Sequence, residues 1–549
     1  PSPPAFGLLR IPIGQVDKPI EQAQDPLFLD FSGSEGHLVI VGAPQSGKST
    51  LLRTILTSFL LTHSPRDAQI YGIDLGGGLL RVFEGAPHVG AICGRGEGEK
   101  MRRMIRQMRS IIQERELLFR EQSIDTMVAY RARRQRGELN DAPFGDVFLV
   151  VDDLAQLMAE SDAFEMELVE LAATGLTYGV HLILATNRWP DVRPRLRDNI
   201  GGRIELRLND AMESEIGKPL ARAISKAPPG RGLTKGGLQF HTALPLLNPL
   251  VEEHEEAGQA QEAIKQELDT LIQRMANAWR GPVTPPIRLL PMLVHLRDLW
   301  AEADATANAT GKLPRQRGVP IGVDEFQLAP LYLDLLASEP HFIILGDSEC
   351  GKTNLLRVIM RGLQRRYTPE EAQFIVLDYR RQLLQESRSQ HTFAYAVTAQ
   401  MANNAMSKLR MEVEKRQLTG AELTPEQLAA PRKWDGPHYF VFADDYDHIV
   451  TPMGNPLSAL TELLLDGRDI GLHVVLARRV GGVGRSAYEP VLQRLTEMST
   501  PGLIMSGDPQ EGVLLGAMRA MALPPGRGYL ARPKQRVILT QTALAEPAG

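Results

Sequence analysis

Two stretches of the chain carry the residues best suited to chemistry, and they carry the same residues in the same order. The first is HLVIVGAPQSGKSTLL from His37; the second is HFIILGDSECGKTNLL from His341. Each is an apolar run, a glycine, four variable residues, Gly-Lys, a hydroxyl residue and then a helical pattern. That is the G-x-x-x-x-G-K-[ST] spacing of a phosphate-binding loop between a strand and a helix. Its glycines let the backbone turn so that N–H groups face phosphate oxygens, and the helix N-terminus behind it adds partial positive charge. The first loop is Gly42, Ala43, Pro44, Gln45, Ser46, Gly47, Lys48, Ser49 and Thr50. The second is Gly346, Asp347, Ser348, Glu349, Cys350, Gly351, Lys352, Thr353 and Asn354. Lys48 and Lys352 are placed to reach the β- and γ-phosphates of ATP, and the Ser49 and Thr353 hydroxyls to hold Mg2+.

Hydrolysis also needs carboxylates, and both copies supply a pair at the end of a buried strand. DVFLVVDD (Asp146–Asp153) and YFVFADD (Tyr439–Asp445) follow their loops by roughly 90–105 residues. Asp152 and Asp444 are expected in the Mg2+ shell, with Asp153 and Asp445 where a carboxylate polarises the attacking water. A further strand, GVHLILATN, ends in Thr186 and Asn187, polar groups suited to sensing a γ-phosphate; its counterpart GLHVVLARR ends in Arg478 and Arg479. QIYGID and QFIVLD each end in an aspartate, the first followed by Gly76–Gly78 and the second by Arg380 and Arg381. A plain turn is expected at the triple glycine.

These groups need a scaffold of buried strands alternating with amphipathic helices. The pattern predicts an α/β fold of two tandem P-loop domains, each a mostly parallel sheet flanked by helices. Before each loop stands an echo, LRIPIG and GVPIG, and each half closes on PPGRG, at Pro228–Gly232 and Pro524–Gly528. The expected organisation is a first domain over 1–250, a helical and Pro-rich connection over 251–315 and a second domain over 316–549. Asp304–Gly318 is the linker candidate, and Ile287–Leu290 (IRLL) reads as a short strand. Glu99–Arg136 reads as one long helix that buries Met101, Met104, Ile105 and Met108. Arg131, Arg133, Arg134 and Arg136 near its end read as a solvated or subunit-facing surface, because acidic residues are mixed among them.

The net charge of −5 argues against a chain built to coat nucleic acid. Two cysteines, Cys93 and Cys350, make no disulfide framework and fit a reducing compartment, with Cys350 as a small filler in its loop. No apolar run reaches the length needed to span a bilayer. The sequence begins at Pro1 without methionine, so a preceding membrane segment is compatible with it.

Taken together, PIG, the loops, the paired acids, LATNRWP (Leu184–Pro190), RIELRLND (Arg203–Asp210) and PPGRG resemble the FtsK/SpoIIIE branch of RecA-like ring ATPases. Two such modules in tandem, with YGIDLGGG and TPGLIMSGD (Thr500–Asp508), resemble the EccC ATPases of type VII secretion, second and third ATPase domains. The resemblance implies an ATP- and Mg2+-dependent component exporting small WXG-type helical-hairpin proteins, whose C-terminal signal docks on the last domain. It further implies a membrane-anchored N-terminal part or partner subunit, a ring homo-oligomer most often sixfold, and a cytoplasmic place at the inner face of the membrane. No nucleic-acid partner is expected. Ring ATPases complete each site with an arginine from a neighbour; Arg203 is the first candidate, then Arg207. Pro501–Ser506 in the second half has none, so slow hydrolysis is expected there. A DNA translocase of the same superfamily and an ATP-stabilised recognition scaffold are the alternatives.

Overall fold

The structure, a computed structural model, describes residues 6–139, 142, 144–247, 257–310, 318–416, 434, 436–451, 454–482 and 489–546. Two compact units divide the chain, Pro1–Leu289 and Leu290–Gly549. The first holds β1 (Arg10–Lys18), β2 (Ala23–Asp30), β3 (Leu38–Val41), β4 (Ala68–Asp74), β5 (Val89–Gly94), β6 (Asp146–Asp152), β7 (Val180–Thr186), β8 (Gly202–Leu206), β9 (Arg231–Thr234) and β10 (Gln239–Thr242). They form one sheet in the order β2-β1-β10-β9-β8-β3-β7-β6-β4-β5. From β8 to β5 every pairing is parallel. From β8 to β2 every pairing is antiparallel.

The second unit repeats this order strand for strand with β11 (Val319–Asp324), β12 (Pro330–Leu333), β13 (His341–Leu345), β14 (Ala372–Leu377), β15 (Thr392–Ala396), β16 (His438–Ala443), β17 (Leu472–Arg478), β18 (Gly502–Met505), β19 (Arg527–Ala531) and β20 (Ile538–Thr542). The loop-bearing strands β3 and β13 are apolar on both faces because helices cover both sides of the sheet. Leu38 and Ile40 enter one core while Val39 and Val41 enter the other. Phe342 and Ile344 alternate in the same way with Ile343 and Leu345.

Both units use a histidine at the start of the loop strand as a buried brace. His37 Nδ1 accepts from Leu182 N (2.9 Å) while Nε2 faces Ala172 O (3.1 Å). His341 repeats this with Val474 N (3.1 Å) and Leu464 O (2.9 Å). One nitrogen accepts and the other donates, so each ring is neutral. Burial, with the nearby His181, pulls His37 down to about 3, and burial pulls His341 down to about 4. The echoed PIG has a steric cause. A side chain at Gly14 or Gly322 would place its Cβ 2.1 or 2.2 Å from the carbonyl oxygen of His241 or Gln541 on the neighbouring strand.

Several details depart from the expected elements. Glu99–Arg136 is two helices, Gly98–Gln122 and Met127–Gln135, broken at Ser123 in the left-handed region. The expected apolar face holds, with Met101, Met104, Ile105 and Met108 all buried. IRLL is not a strand: a lone apolar dipeptide beside prolines finds no sheet edge to pair with. The stretch 251–315 is shared between the units rather than standing apart. Its helix Ala257–Ala278 buries Ile264, Leu268 and Ile272 in the first core, and helix Leu296–Thr310 buries Leu296 and Leu299 in the second. That second helix takes in the start of the linker candidate, and residues 311–317 lie outside the described ones. Among the described residues no helix is long and apolar enough to cross a membrane.

Candidate nucleotide sites

The parallel topology brings the loop and the acids to one end of each sheet. β3 pairs with β7 at Val41–Thr186, β6 with β7 at Asp152–Ala185, and β4 with β6 at Asp74–Asp152. Gly42 N donates to Thr186 O (3.2 Å) and Ala43 N to Arg207 O (2.7 Å), clamping the start of the loop to both neighbours of β3. Gly47, with φ at 102°, sits in the left-handed region and caps the helix Lys48–Thr62; Gly351 at 111° does the same for Lys352–Arg366. Only glycine meets that geometry cheaply. PPGRG explains itself here. Gly230 N donates to Ser46 O (2.8 Å), and a Cβ on Gly47 would come within 2.8 Å of Gly230 N. Gly526 N donates likewise to Cys350 O (2.8 Å), so the closing motif is the outer wall of each loop.

In the first site Lys48 Nζ donates to Gly42 O (2.7 Å), Ala43 O (3.0 Å) and Asn187 Oδ1 (2.9 Å). Partial burial pulls this amine below the usual lysine range, against the opposing pull of Asp152 and Asp153. Burial raises the Asp152 carboxylate above the ordinary range, opposed by the Ser49 hydroxyl beside it. Asp152 Oδ2 is buried without a hydrogen-bond partner among the described residues. A hydroxyl beside an orphaned carboxylate oxygen at a helix N-terminus is the hard oxygen set that Mg2+ prefers, so the residues fit the ion. Asp153, at φ 72°, turns its carboxylate onto Gln156 N (3.2 Å), capping the next helix.

The second site keeps the loop and changes its surroundings. Lys352 Nζ donates to Asp347 O (2.7 Å), and Thr353 Oγ1 lies 3.0 and 2.9 Å from the two oxygens of Asp444. Burial, reinforced by Asp445 and Asp378, pushes Asp444 up to about 6 despite the Thr353 hydrogen bond. Asp445 pairs with Arg380 (Oδ2 to Nη1, 3.0 Å). At the tip of β17, Arg478 pairs with Asp447 (2.9 Å), and Arg479 N donates to the same carboxylate (2.8 Å).

Asn187 thus reaches the loop lysine across 139 residues of sequence. Thr186 instead donates to Asp191 (2.8 Å) and is fully buried. Arg203 lies level with Val39, three residues short of the loop, salt-bridged to Glu215 (3.5 Å) with its guanidinium 5.8 Å from the Trp189 ring. Arg131 and Arg134 are not on a solvated surface. Arg131 is buried against Asp146 (2.7 Å) and Arg134 pairs with Asp67 (2.6 Å), while Arg136 holds Glu138. A helix sequence shows the mixed charges but not that Asp146, at the foot of β6, stands beneath it. Cys350 is buried, its thiol raised by desolvation, with Sγ 3.9 Å from Met505 Sδ.

Two residues escaped a site role in the sequence: Asp74 and Asp378. Asp74 accepts from Gly78 N (3.0 Å) and Leu80 N (2.7 Å), so the triple glycine is a turn wrapped on this carboxylate. Asp378 accepts from Gln382 N, Leu383 N and the Tyr395 hydroxyl. The strand-terminal aspartate after a glycine-rich loop was the available signal.

Two RecA-like sheets, each with a phosphate loop facing strand-end acids, define a tandem P-loop ATPase. The FtsK/SpoIIIE family model matches residues 10–245 and 301–441. The chain belongs to that family, and within it to the EccC-type ATPases. It is 41% identical to the ESX secretion system protein EccC of Thermomonospora curvata over 98% of its own length and 40% of that protein's. To the ESX-1 secretion system protein EccCb1 of Mycobacterium tuberculosis it is 32% identical, covering 98% of this chain and 90% of the relative. A solved structure of Thermomonospora curvata EccC, ATPases 2 and 3 in complex with a signal sequence peptide, matches with a TM-score of 0.81 at 41% identity, covering 99% of this chain and 94% of that one. The chain spans about two fifths of the length of the first two curated relatives it matches.

Proposed function

We propose that this chain is the second and third ATPase domains, over about 1–250 and 316–549, of a type VII secretion motor that couples ATP to export of small WXG-type helical-hairpin proteins. The substrate's C-terminal signal docks on the last domain. The rest of the machine supplies a membrane-anchored part, and the chain works on the cytoplasmic side within a ring of copies. The carrying observation is the pair of loop-and-acid constellations at the same end of two ten-strand sheets of the same strand order, in a chain whose relatives are ESX secretion proteins. The complex of the Thermomonospora curvata structure with a signal sequence peptide supports the docking step.

In this reading the loops of Gly42–Thr50 and Gly346–Asn354 cradle the phosphates of ATP, with Lys48 and Lys352 on the β- and γ-oxygens. Ser49 with Asp152, and Thr353 with Asp444, hold Mg2+, which supplies charge neutralisation across the β- and γ-phosphates when bound. Asp153 and Asp445 polarise water, Asn187 orients Lys48 toward the phosphates, and Thr186 supports that tip through Asp191. Arg203 is offered to the site of a neighbouring copy. The second site retains ATP and hydrolyses it weakly. The DNA-translocase reading loses ground because Arg131 and Arg134 are committed to partners inside the protein.

Equilibrium binding of labelled ATP tests the core of this. The parent binds two equivalents, and Lys48→Ala and Lys352→Ala each bind one, with an affinity loss at the altered site of about 100-fold from the removed charge-assisted contacts. Capture of a WXG-type protein that depends on its C-terminal tail tests the docking; tail-independent capture, or none, defeats it.

A further inference from the structure

We propose that Arg380 is a positioning residue that locks Asp445 and makes the second site one that keeps its ATP. The proposal rests on the reading that this site binds ATP and that Asp445 is its water-polarising carboxylate. Three observations carry it.

The first is the pairing itself. Arg380 Nη1 lies 3.0 Å from Asp445 Oδ2, while its Nη2 lies 2.6 Å from His448 Nε2. The guanidinium therefore spans the carboxylate and the helix that follows it, Tyr446–Ile449. The second is the equivalent place in the first unit. β4 ends at Asp74 and β14 is followed at once by Asp378, and two residues beyond each aspartate stand Gly76 and Arg380. A Cβ at Gly76 would meet the Asp152 carboxylate at 2.8–3.0 Å, so a side chain there would have to displace that carboxylate. The third is the fate of the paired acid. Asp153 caps its helix through Gln156 N, whereas Asp445 makes no side-chain cap. One carboxylate is held by a neutral backbone donor and the other by a cation.

The consequence follows from the reaction. Water oxygen bonds to the γ-phosphorus, the bond from that phosphorus to the ADP oxygen breaks, and the water proton passes to a carboxylate before reaching the released phosphate. Taking that proton requires a carboxylate oxygen turned toward the water, and Asp445 Oδ2 is turned to the Arg380 guanidinium instead. Lys352 and Thr353 contact other groups, so ATP binding is untouched.

The test uses the whole chain carrying Lys48→Ala, so that only the second site counts. Retention of labelled ATP and single-turnover phosphate release are measured with Mg2+ present. Arg380→Ala is expected to raise phosphate release about tenfold, below the full effect of a general base because the arginine is half exposed. ATP affinity stays within about twofold, since no phosphate contact is removed. Arg380→Lys restores the slow rate, and adding Asp445→Asn to Arg380→Ala abolishes the gain. Unchanged release in Arg380→Ala overturns the lock, as does a gain that survives Asp445→Asn. A tenfold loss of affinity overturns it too, by making Arg380 a phosphate ligand. If the Lys48→Ala chain with Arg380 intact retains no ATP, the reading of the site falls and takes the lock with it; that outcome is visible before Arg380 is altered.

Discussion

The two units share one sheet order, one loop geometry and one histidine brace, yet they differ in side-chain chemistry at the ends of equivalent strands. Asn187 at the tip of β7 answers to Arg479, Gly76 after β4 to Arg380, and Asp146 at the foot of β6 to His438. Under the first sheet, Asp146 gathers Arg131 (2.7 Å) and His181 (3.0 Å) into a buried charged cluster, and burial-opposed pairing holds its carboxyl well below the usual range. Under the second, His438 Nδ1 meets His473 Nε2 at 2.8 Å, and burial holds His473 far below the usual histidine range. What the pair has in common is what backbone packing demands; what differs is side-chain chemistry at strand ends, where a neighbour's identity can change without moving the strand.

The largest expected effect lies in the charged cluster. Asp146→Ala leaves Arg131 buried without its partner and should destabilise the first unit by about 3–5 kcal/mol. His438→Ala removes the hydrogen bond to His473 without stranding a buried charge and should cost about 1–2 kcal/mol. Urea denaturation of both variants checks the contrast, and equal losses would erase it.

Acid sensitivity tests what the units have in common. An unfolded histidine gains a proton near pH 6.5, whereas folded His37 and His341 stay neutral down to about 3 and about 4. The unfolded state therefore binds more protons below 6.5, so stability is complete above that pH and falls as pH drops toward the folded value. At pH 5.5 each brace should have lost about 1.4 kcal/mol relative to pH 7.5. His341→Gln should flatten this slope, read from denaturation midpoints across the range. A slope unchanged by the substitution would break the claim of a neutral brace.

The smallest effect concerns the tip of β7. Asn187→Ala removes one of three acceptors around Lys48 Nζ and should weaken ATP binding at the first site by about 5–10-fold, roughly 1 kcal/mol. The second site, where Lys352 has a different set, should respond little to Arg479→Ala. Competition with a fluorescent nucleotide in each single-site background measures both.

Much of the site was legible in the sequence because its parts are local. A glycine-framed loop, the lysine beside it and the acids that end a buried apolar run are specified within a few residues, and the parallel strands follow from runs too apolar to leave either face in water. Less legible were the arginines of the Met127–Gln135 helix, read as a surface although Arg131 is buried and both it and Arg134 are ion-paired within the protein. Thr186 stood beside Asn187 in the sequence, but only Asn187 reaches the lysine, because successive residues at a strand end point different ways.

By itself the sequence determined that the chain holds two phosphate loops, two pairs of strand-end acids and the alternation of strand and helix that presents them. The tertiary structure alone decided which carboxylate meets which cation. Arg380 finds Asp445 across 65 positions of chain only because β14 and β16 are neighbours in the sheet, and Gly230 finds Gly47 only because the closing turn folds back over the loop. Backbone preference acts over a few residues, whereas an ion pair or a close backbone approach depends on strand order, which is settled when the whole sheet assembles.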